Sequence, residues 1–121
     1  MRKSLNILSI LAASFTHLIA GIFVSGMGQA HAQFFMELNV KLSVVSQAAV
    51  LYAESGAPVA VGLVLGLVTL VGLCLVLRSE KHRWLLPFLL SISFVLVIIH
   101  INFVWFGVNT PLLKMVQALG E

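Results

Sequence analysis

Two histidines are the side chains best suited to chemistry in this sequence. His17 lies near the middle of one long apolar run, and His100 lies in the second half of another. Ionisable residues inside membrane-length segments are costly and commonly functional, so both are candidates for an intramembrane polar site. On separate helices they could ligate haem or relay protons, although their different depths argue against one shared metal atom. Alternatively, each neutral imidazole hydrogen-bonds a hydroxyl or amide from the set Ser14, Thr16, Ser91, Ser93 and Asn102.

A second candidate feature is a row of small residues in the stretch "GLVLGLVTLVG". Gly62, Gly66 and Thr69 follow one another at helical spacing and share one face of a helix. Small residues let helix backbones approach closely, which is a main source of helix association in lipid. The pattern predicts a helix-packing interface, made either with another protein or copy, or within the chain's own bundle.

Catalytic motifs are missing from the sequence. It holds no Ser-His-Asp, Cys-His, HExxH or P-loop pattern, and it contains no aspartate. Cys74 is the single cysteine and lacks a CxxC partner. No acidic residue lies inside the apolar runs, which argues against a proton-coupled transporter. We therefore expect no enzyme, no metal site and no cofactor.

The composition indicates a membrane protein. Hydrophobic residues make up 60% of the 121 residues, charged residues 9%, and the mean hydropathy is +1.10. Soluble domains are about 45–50% apolar and about 25% charged. No dense basic stripe accompanies the net charge of +3, so nucleic-acid binding is not expected. We predict one membrane domain over residues 1–121.

Three apolar runs without charge cover residues 5–28, 57–77 and 84–106. Each reaches the roughly 20 residues that a helix needs to cross the bilayer, and none alternates in polarity as a membrane strand would. The sequence therefore predicts an all-α integral membrane protein with three transmembrane helices.

The basic residues predict the orientation of these spans. Arg2 and Lys3 precede the first span, and the loop at 78–83, "RSEKHR", carries three basic residues. By the positive-inside rule the N-terminus and this loop lie inside, whereas residues 29–56 and the tail at 107–121 lie outside. The predicted location is a bacterial inner membrane.

The outer segment favours helix over strand. Residues 37–44 alternate like a strand, but the wider window repeats apolar residues at helical spacing, at Phe35, Leu38, Leu42, Val45, Ala49 and Tyr52. We expect a break near 39–43 and a second helix over 44–54 capped by Ser43, resting on the outer membrane surface or packed across the top of the bundle. In the tail we expect a separate short helix capped by Thr110, with Pro111 as its first residue.

The motif Ala30-His31-Ala32 resembles a signal-peptidase site with cleavage before Gln33. Gly26 and Gly28 just before it fit a processed signal, whereas the length of the apolar run exceeds the usual 7–15 residues of a signal peptide. We expect the span to be retained. Either outcome leaves residues 33–56 outside.

The stretch "FFMELNVKLSVVSQ", residues 34–47, resembles an outer segment of the inner-membrane platform proteins of type II secretion and type IV pilus machines. The pattern F-x-x-[FL]-G-x-x-L-P-x-x-T-[RQ] is matched by Phe35, Leu38, Leu42, Ser46 and Gln47, with Asn39 in place of the usual Gly and Ser43 in place of the usual Pro. The resemblance covers about residues 20–77 and lacks the family's cytoplasmic domains. It implies a scaffold that contacts other membrane proteins.

Three spans in a short chain with intramembrane histidines also look like the membrane-anchor subunits of succinate dehydrogenase, although the His-rich haem and quinone motif of that family is not found. We predict a non-enzymatic structural or assembly component of a membrane complex, which contacts other membrane proteins or itself. The alternative is a respiratory anchor subunit with haem or quinone near His17 and His100.

Overall fold

The computed structural model describes residues 2–120 and consists of four α-helices and one short 3₁₀ turn. α1 covers Arg2–Glu37, α2 covers Val44–Glu54, α3 covers Ala57–Arg78 and α4 covers Leu86–Gly120, and the 3₁₀ turn at Arg83–Leu85 leads into α4. Residues 2–120 contain no strand, so the all-α prediction is confirmed. α1, α3 and α4 are each long and apolar enough to cross a membrane.

Backbone-to-backbone contact joins α1 and α3, which run antiparallel. A Cβ added to Gly62 would collide with the carbonyl oxygen of His17, and one added to Gly66 would lie 2.8 Å from the carbonyl oxygen of Ser14. Gly21 meets the start of α3 in the same way. Since real Cβ atoms do not approach this closely, glycine at these positions sets the distance between the two helices.

α2 packs between the second halves of α1 and α4. Ala53 lies against Gly28 of α1, and Ala49 lies against Gly107 of α4, so closely that a Cβ on either glycine would collide with the alanine. These small residues let three backbones meet. Apolar side chains fill the space around them, in a cluster of Val24, Ala32, Phe35, Val50, Ala53, Val104 and Val108.

α2 runs antiparallel to α4, since Tyr52 contacts His100 while Ala49 contacts Gly107. The prediction that this helix crosses the top of the bundle is therefore wrong, whereas its place relative to the membrane surface stays a prediction. α2 instead lies lengthwise along α1 and α4. Its buried face is made of small and apolar residues together with Ser46, which give it a close fit to both neighbours.

The turn before α2 follows the sequence prediction. α1 ends at Glu37, and Asn39 takes a left-handed conformation with φ 55°, which asparagine tolerates better than most residues. The Ser43 side chain accepts a hydrogen bond from the backbone N–H of Ser46 and caps α2 as predicted. Gly56, with φ 78°, separates α2 from α3.

α1 does not end near residue 28 but continues to Glu37. Gly28 gives α2 room to approach, which is a packing role compatible with a continuous helix. The Ala30–Ala32 motif lies within this helix, and Ala32 is buried.

α4 continues through Pro111, so the prediction of a separate tail helix is wrong. The Thr110 hydroxyl donates to the carbonyl oxygen of Phe106 at 2.6 Å within the continuing helix, instead of capping a new one. Pro111 is buried, and the packing of α4 at Gly107 and Val108 holds this turn in place.

Alanine at Gly62 should destabilise the bundle, because its Cβ would force α3 away from α1. We expect a loss of about 1–3 kcal/mol in the free energy of unfolding. Gly72→Ala is the matched control: a Cβ there meets nothing within 4 Å, and alanine favours helix. Unfolding in mixed micelles, followed by circular dichroism, measures both variants. Equal stabilities would contradict the close contact.

Candidate functional site

His17 is the most completely buried ionisable side chain of the site, at 1% exposure. Its Nε2 shares a hydrogen bond with the Ser93 hydroxyl at 2.8 Å. The Ser93 hydroxyl in turn lies 3.5 Å from the hydroxyl of Thr69. These three side chains come from α1, α4 and α3, so one small polar group joins the three long helices.

His100 forms a second pair with Tyr52, nearer the end of the bundle where α2 packs. Its Nε2 shares a hydrogen bond with the Tyr52 hydroxyl at 2.8 Å, and the two rings lie 5.8 Å apart. Phe103 packs edge-on against the same tyrosine. Burial raises the pKa of Tyr52, because the phenolate loses its hydration. This pair connects α2 to α4.

The other ring nitrogen of each histidine has no partner in the protein. The Nδ1 atoms of His17 and His100 are both buried, and neither accepts nor donates a hydrogen bond within residues 2–120. A buried polar atom without a partner costs about 1–3 kcal/mol, and native proteins contain few of them. His100 lies about two turns after Ser93, the partner of His17, on the same face of α4. Two such atoms in one part of the bundle make it the candidate functional site.

The sequence predicted both histidines as site residues but only one of their two partners. Ser93 is the one of the five suggested side chains that contacts His17, whereas Ser14, Ser91 and Asn102 bond to carbonyl oxygens of their own helices. Thr16 does the same. The partner of His100 is Tyr52 of α2, a residue outside that set. Its position on the apolar face of the outer segment was the available signal, because a tyrosine on a buried face needs a partner for its hydroxyl.

The row Gly62, Gly66 and Thr69 faces the interior of this chain. The two glycines are covered by α1, and the Thr69 hydroxyl faces Ser93 of α4. The small residues therefore bring α1 close to α3, which places His17 near the hydroxyls of Ser93 and Thr69.

A groove remains open between α3 and α4, which pack less closely against each other than against α1. It has a volume of about 320 Å³. Thr69 and Ser93 lie in it among apolar and small residues, namely Val68, Gly72, Leu73, Val76, Leu89, Ile92 and Leu96. A side chain added at Gly72 would enter open space. We call this feature the α3/α4 groove.

Within residues 2–120, no group of three or more His, Cys, Asp and Glu side chains is placed to hold a metal ion. Cys74 is exposed on α3. No protein-family model, curated protein or solved structure matches the chain. Its function is therefore inferred from its own residues and geometry.

Removal of the Ser93 hydroxyl should destabilise the protein. Ser93→Ala leaves both ring nitrogens of His17 buried without partners, so we expect a loss of about 1–3 kcal/mol in the free energy of unfolding. Ser91→Ala is the matched control on the same helix, because the exposed Ser91 hydroxyl donates only to the carbonyl oxygen of Pro87. Unfolding in micelles compares the two. Similar losses in both variants would argue against the His17–Ser93 bond.

Tyr52 should ionise at a higher pH than an ordinary tyrosine. It is the single tyrosine of the sequence, so phenolate absorbance reports it alone. Because burial raises its folded pKa, the free energy of unfolding should fall as the pH rises past the unfolded value of about 10. An absorbance titration of folded and unfolded protein measures the shift, and Tyr52→Phe provides the blank. Coincident titration curves would contradict the buried placement of the hydroxyl.

Proposed function

We propose that this chain is a multi-pass protein of the bacterial inner membrane, which α1, α3 and α4 cross. The distribution of polarity supports this proposal. Exposed apolar side chains follow all three long helices, among them Phe15, Phe23, Leu67, Leu75, Ile98 and Phe103, while His17, Ser14, Ser25 and Ser93 are buried. Soluble monomers rarely expose apolar patches above a few hundred Å², so lipid is the solvent that fits this surface.

The proposed orientation puts the N-terminus and the α3–α4 turn inside. Arg78, Lys81 and Arg83 cluster at this turn, close to the same end of the bundle as Lys3. The opposite end holds α2 and the C-terminal part of α4, with few basic residues. The positive-inside rule then places α2 and the C-terminus outside.

Within the membrane, we propose a non-enzymatic structural or assembly role, in which the chain binds another membrane protein. The observation that carries this role is the α3/α4 groove. The close contacts of α1 with α3, and of α2 with α1 and α4, are made within the chain, whereas the groove is left open along Gly72. An apolar groove with a glycine on its wall suits a helix of a partner in lipid. The resemblance of residues 34–47 to secretion and pilus platform proteins supports the same kind of role.

The two unpartnered Nδ1 atoms favour a second candidate function, a respiratory anchor subunit that holds haem or quinone near His17 and His100. Haem iron bound through Nε2 would require breaking the bonds to Ser93 and Tyr52. The assembly role requires no such change, and we therefore place it first.

Filling the groove should release the partner. In Gly72→Leu the new side chain enters open space in the chain itself, so the bundle should stay folded. A leucine that overlaps a bound helix costs about 1–3 kcal/mol, which is about tenfold or more in affinity. Affinity purification from native membranes, with identification of the proteins recovered, measures the effect. Val71→Leu is the matched control, since Val71 is an exposed neighbour on the same helix.

Two results would contradict the assembly role. One is recovery of the same proteins, in the same amounts, with Gly72→Leu and Val71→Leu. The other is a Soret band in the absorption spectrum of the purified protein, which would favour the anchor subunit. Recovery of an untagged second copy that Gly72→Leu abolishes would support the role with the chain itself as partner.

A further inference from the structure

Each of the two hydrogen-bonded histidine pairs in the bundle leaves the second ring nitrogen of its histidine without a partner. One pair is His17 with Ser93, and Thr69 extends it towards α3. The other is His100 with Tyr52. In both, the free end is the Nδ1 atom of an imidazole, buried and without a partner in the protein. His100 follows Ser93, the partner of His17, by about two helical turns on the same face of α4, so the two free ends belong to one region of the interior.

The chemistry of the imidazole decides what can fill this region. A neutral imidazole carries one N–H and one lone pair, so the role of Nε2 fixes the opposite role for Nδ1. If the Tyr52 hydroxyl donates to His100, the Nδ1 of His100 carries a proton and needs an acceptor. If the Nε2 of His17 donates to Ser93, the Nδ1 of His17 needs a donor. If both of these hydrogen bonds run the other way, the Nδ1 of His100 needs a donor and the Nδ1 of His17 needs an acceptor.

Water satisfies both needs at once. A backbone carbonyl only accepts and an ammonium group only donates, whereas water does both, in either direction of the chain. Buried water is common in proteins and occurs where two or more otherwise unpartnered polar atoms meet. The two histidines alone do not make up the three or more ligands of an ordinary metal site.

We propose that His17 and His100 bind internal water through their Nδ1 atoms, and that this water joins Tyr52, His100, His17, Ser93 and Thr69 into one continuous hydrogen-bond chain. This hydrogen-bond chain runs from the end of the bundle where α2 packs to the α3/α4 groove. Because this water accepts from one ring and donates to the other, all the bonds point in one direction and the tautomers of the two histidines are coupled. This site goes beyond the assembly role and does not depend on it.

The proposed hydrogen-bond chain predicts that a change at Tyr52 alters the tautomers of His17, although the two residues are not in contact. Tyr52→Phe removes the group that sets the hydrogen-bond direction at His100, and through water this should alter the ratio of the two tautomers of His17. Ser55→Ala is the matched control, because it removes a hydroxyl from the end of α2 that bonds only to the local backbone. In Ser55→Ala the tautomer ratio of His17 should not change.

Solid-state NMR on the full chain tests both parts of the proposal. The protein carries ¹⁵N-histidine and the changes His31→Gln and His82→Gln, so that His17 and His100 give the only imidazole signals, and it is reconstituted in vesicles of phosphatidylethanolamine and phosphatidylglycerol. We expect magnetisation transfer from water protons to the Nδ1 atoms of both rings. We also expect a shifted His17 tautomer ratio in Tyr52→Phe and an unchanged ratio in Ser55→Ala.

Transfer from water to only one Nδ1 atom, or to neither, would overturn the proposal. So would a His17 tautomer ratio that stays the same in Tyr52→Phe, since the two pairs would then be independent. A haem or quinone absorption band in the same sample would assign the Nδ1 atoms to a cofactor instead of water. The groove experiment measures which proteins are recovered, whereas this experiment measures the histidine NMR signals. A negative result in the first therefore does not change the outcome of the second.

Discussion

Close contact between the backbones of α1 and α3 is the constraint on which the rest of the bundle depends. Gly62 and Gly66 let α3 approach the carbonyl oxygens of His17 and Ser14. At this distance the His17 ring is buried and forms a hydrogen bond with Ser93 of α4. A single methyl group at Gly62 would separate the helices and remove the cover from the histidine. Helix packing and the polar site are therefore one feature of the molecule.

The bundle places its polar groups where a soluble protein would place apolar ones. In lipid, an apolar exterior gains nothing by being buried, and specificity comes from close packing and from hydrogen bonds between helices. The Ser93 bond fixes the rotation of α4 relative to α1, and the Tyr52 bond fixes α2 relative to α4. Two polar contacts thus add directional information that the apolar surfaces lack. The α3/α4 groove is the surface on which this packing is least complete.

Local signals in the sequence predicted local structure well and helix ends less well. Ser43 caps α2 as its hydroxyl predicted, and Gly56 ends that segment. Gly28 fitted a processed signal and Pro111 the first residue of a separate helix, yet both lie inside continuous helices. Each is held by a neighbour, Gly28 by Ala53 and Pro111 by the packing of α4 around Gly107. Tertiary contact can outweigh a local preference of a few kcal/mol, and the sequence shows only the preference.

The sequence by itself determined that the protein is all-α with three apolar helices of membrane length, because length and hydropathy can be read from a chain without its fold. The sequence predicted three apolar helices and placed the ends of α3 to within one turn. It also singled out His17 and His100 as ionisable residues within apolar runs. Only the tertiary structure decided that His17 pairs with Ser93 and His100 with Tyr52. These residues lie 76 and 48 positions apart. Contacts of such separation depend on the rotation and distance of whole helices, which small residues on several helices set together.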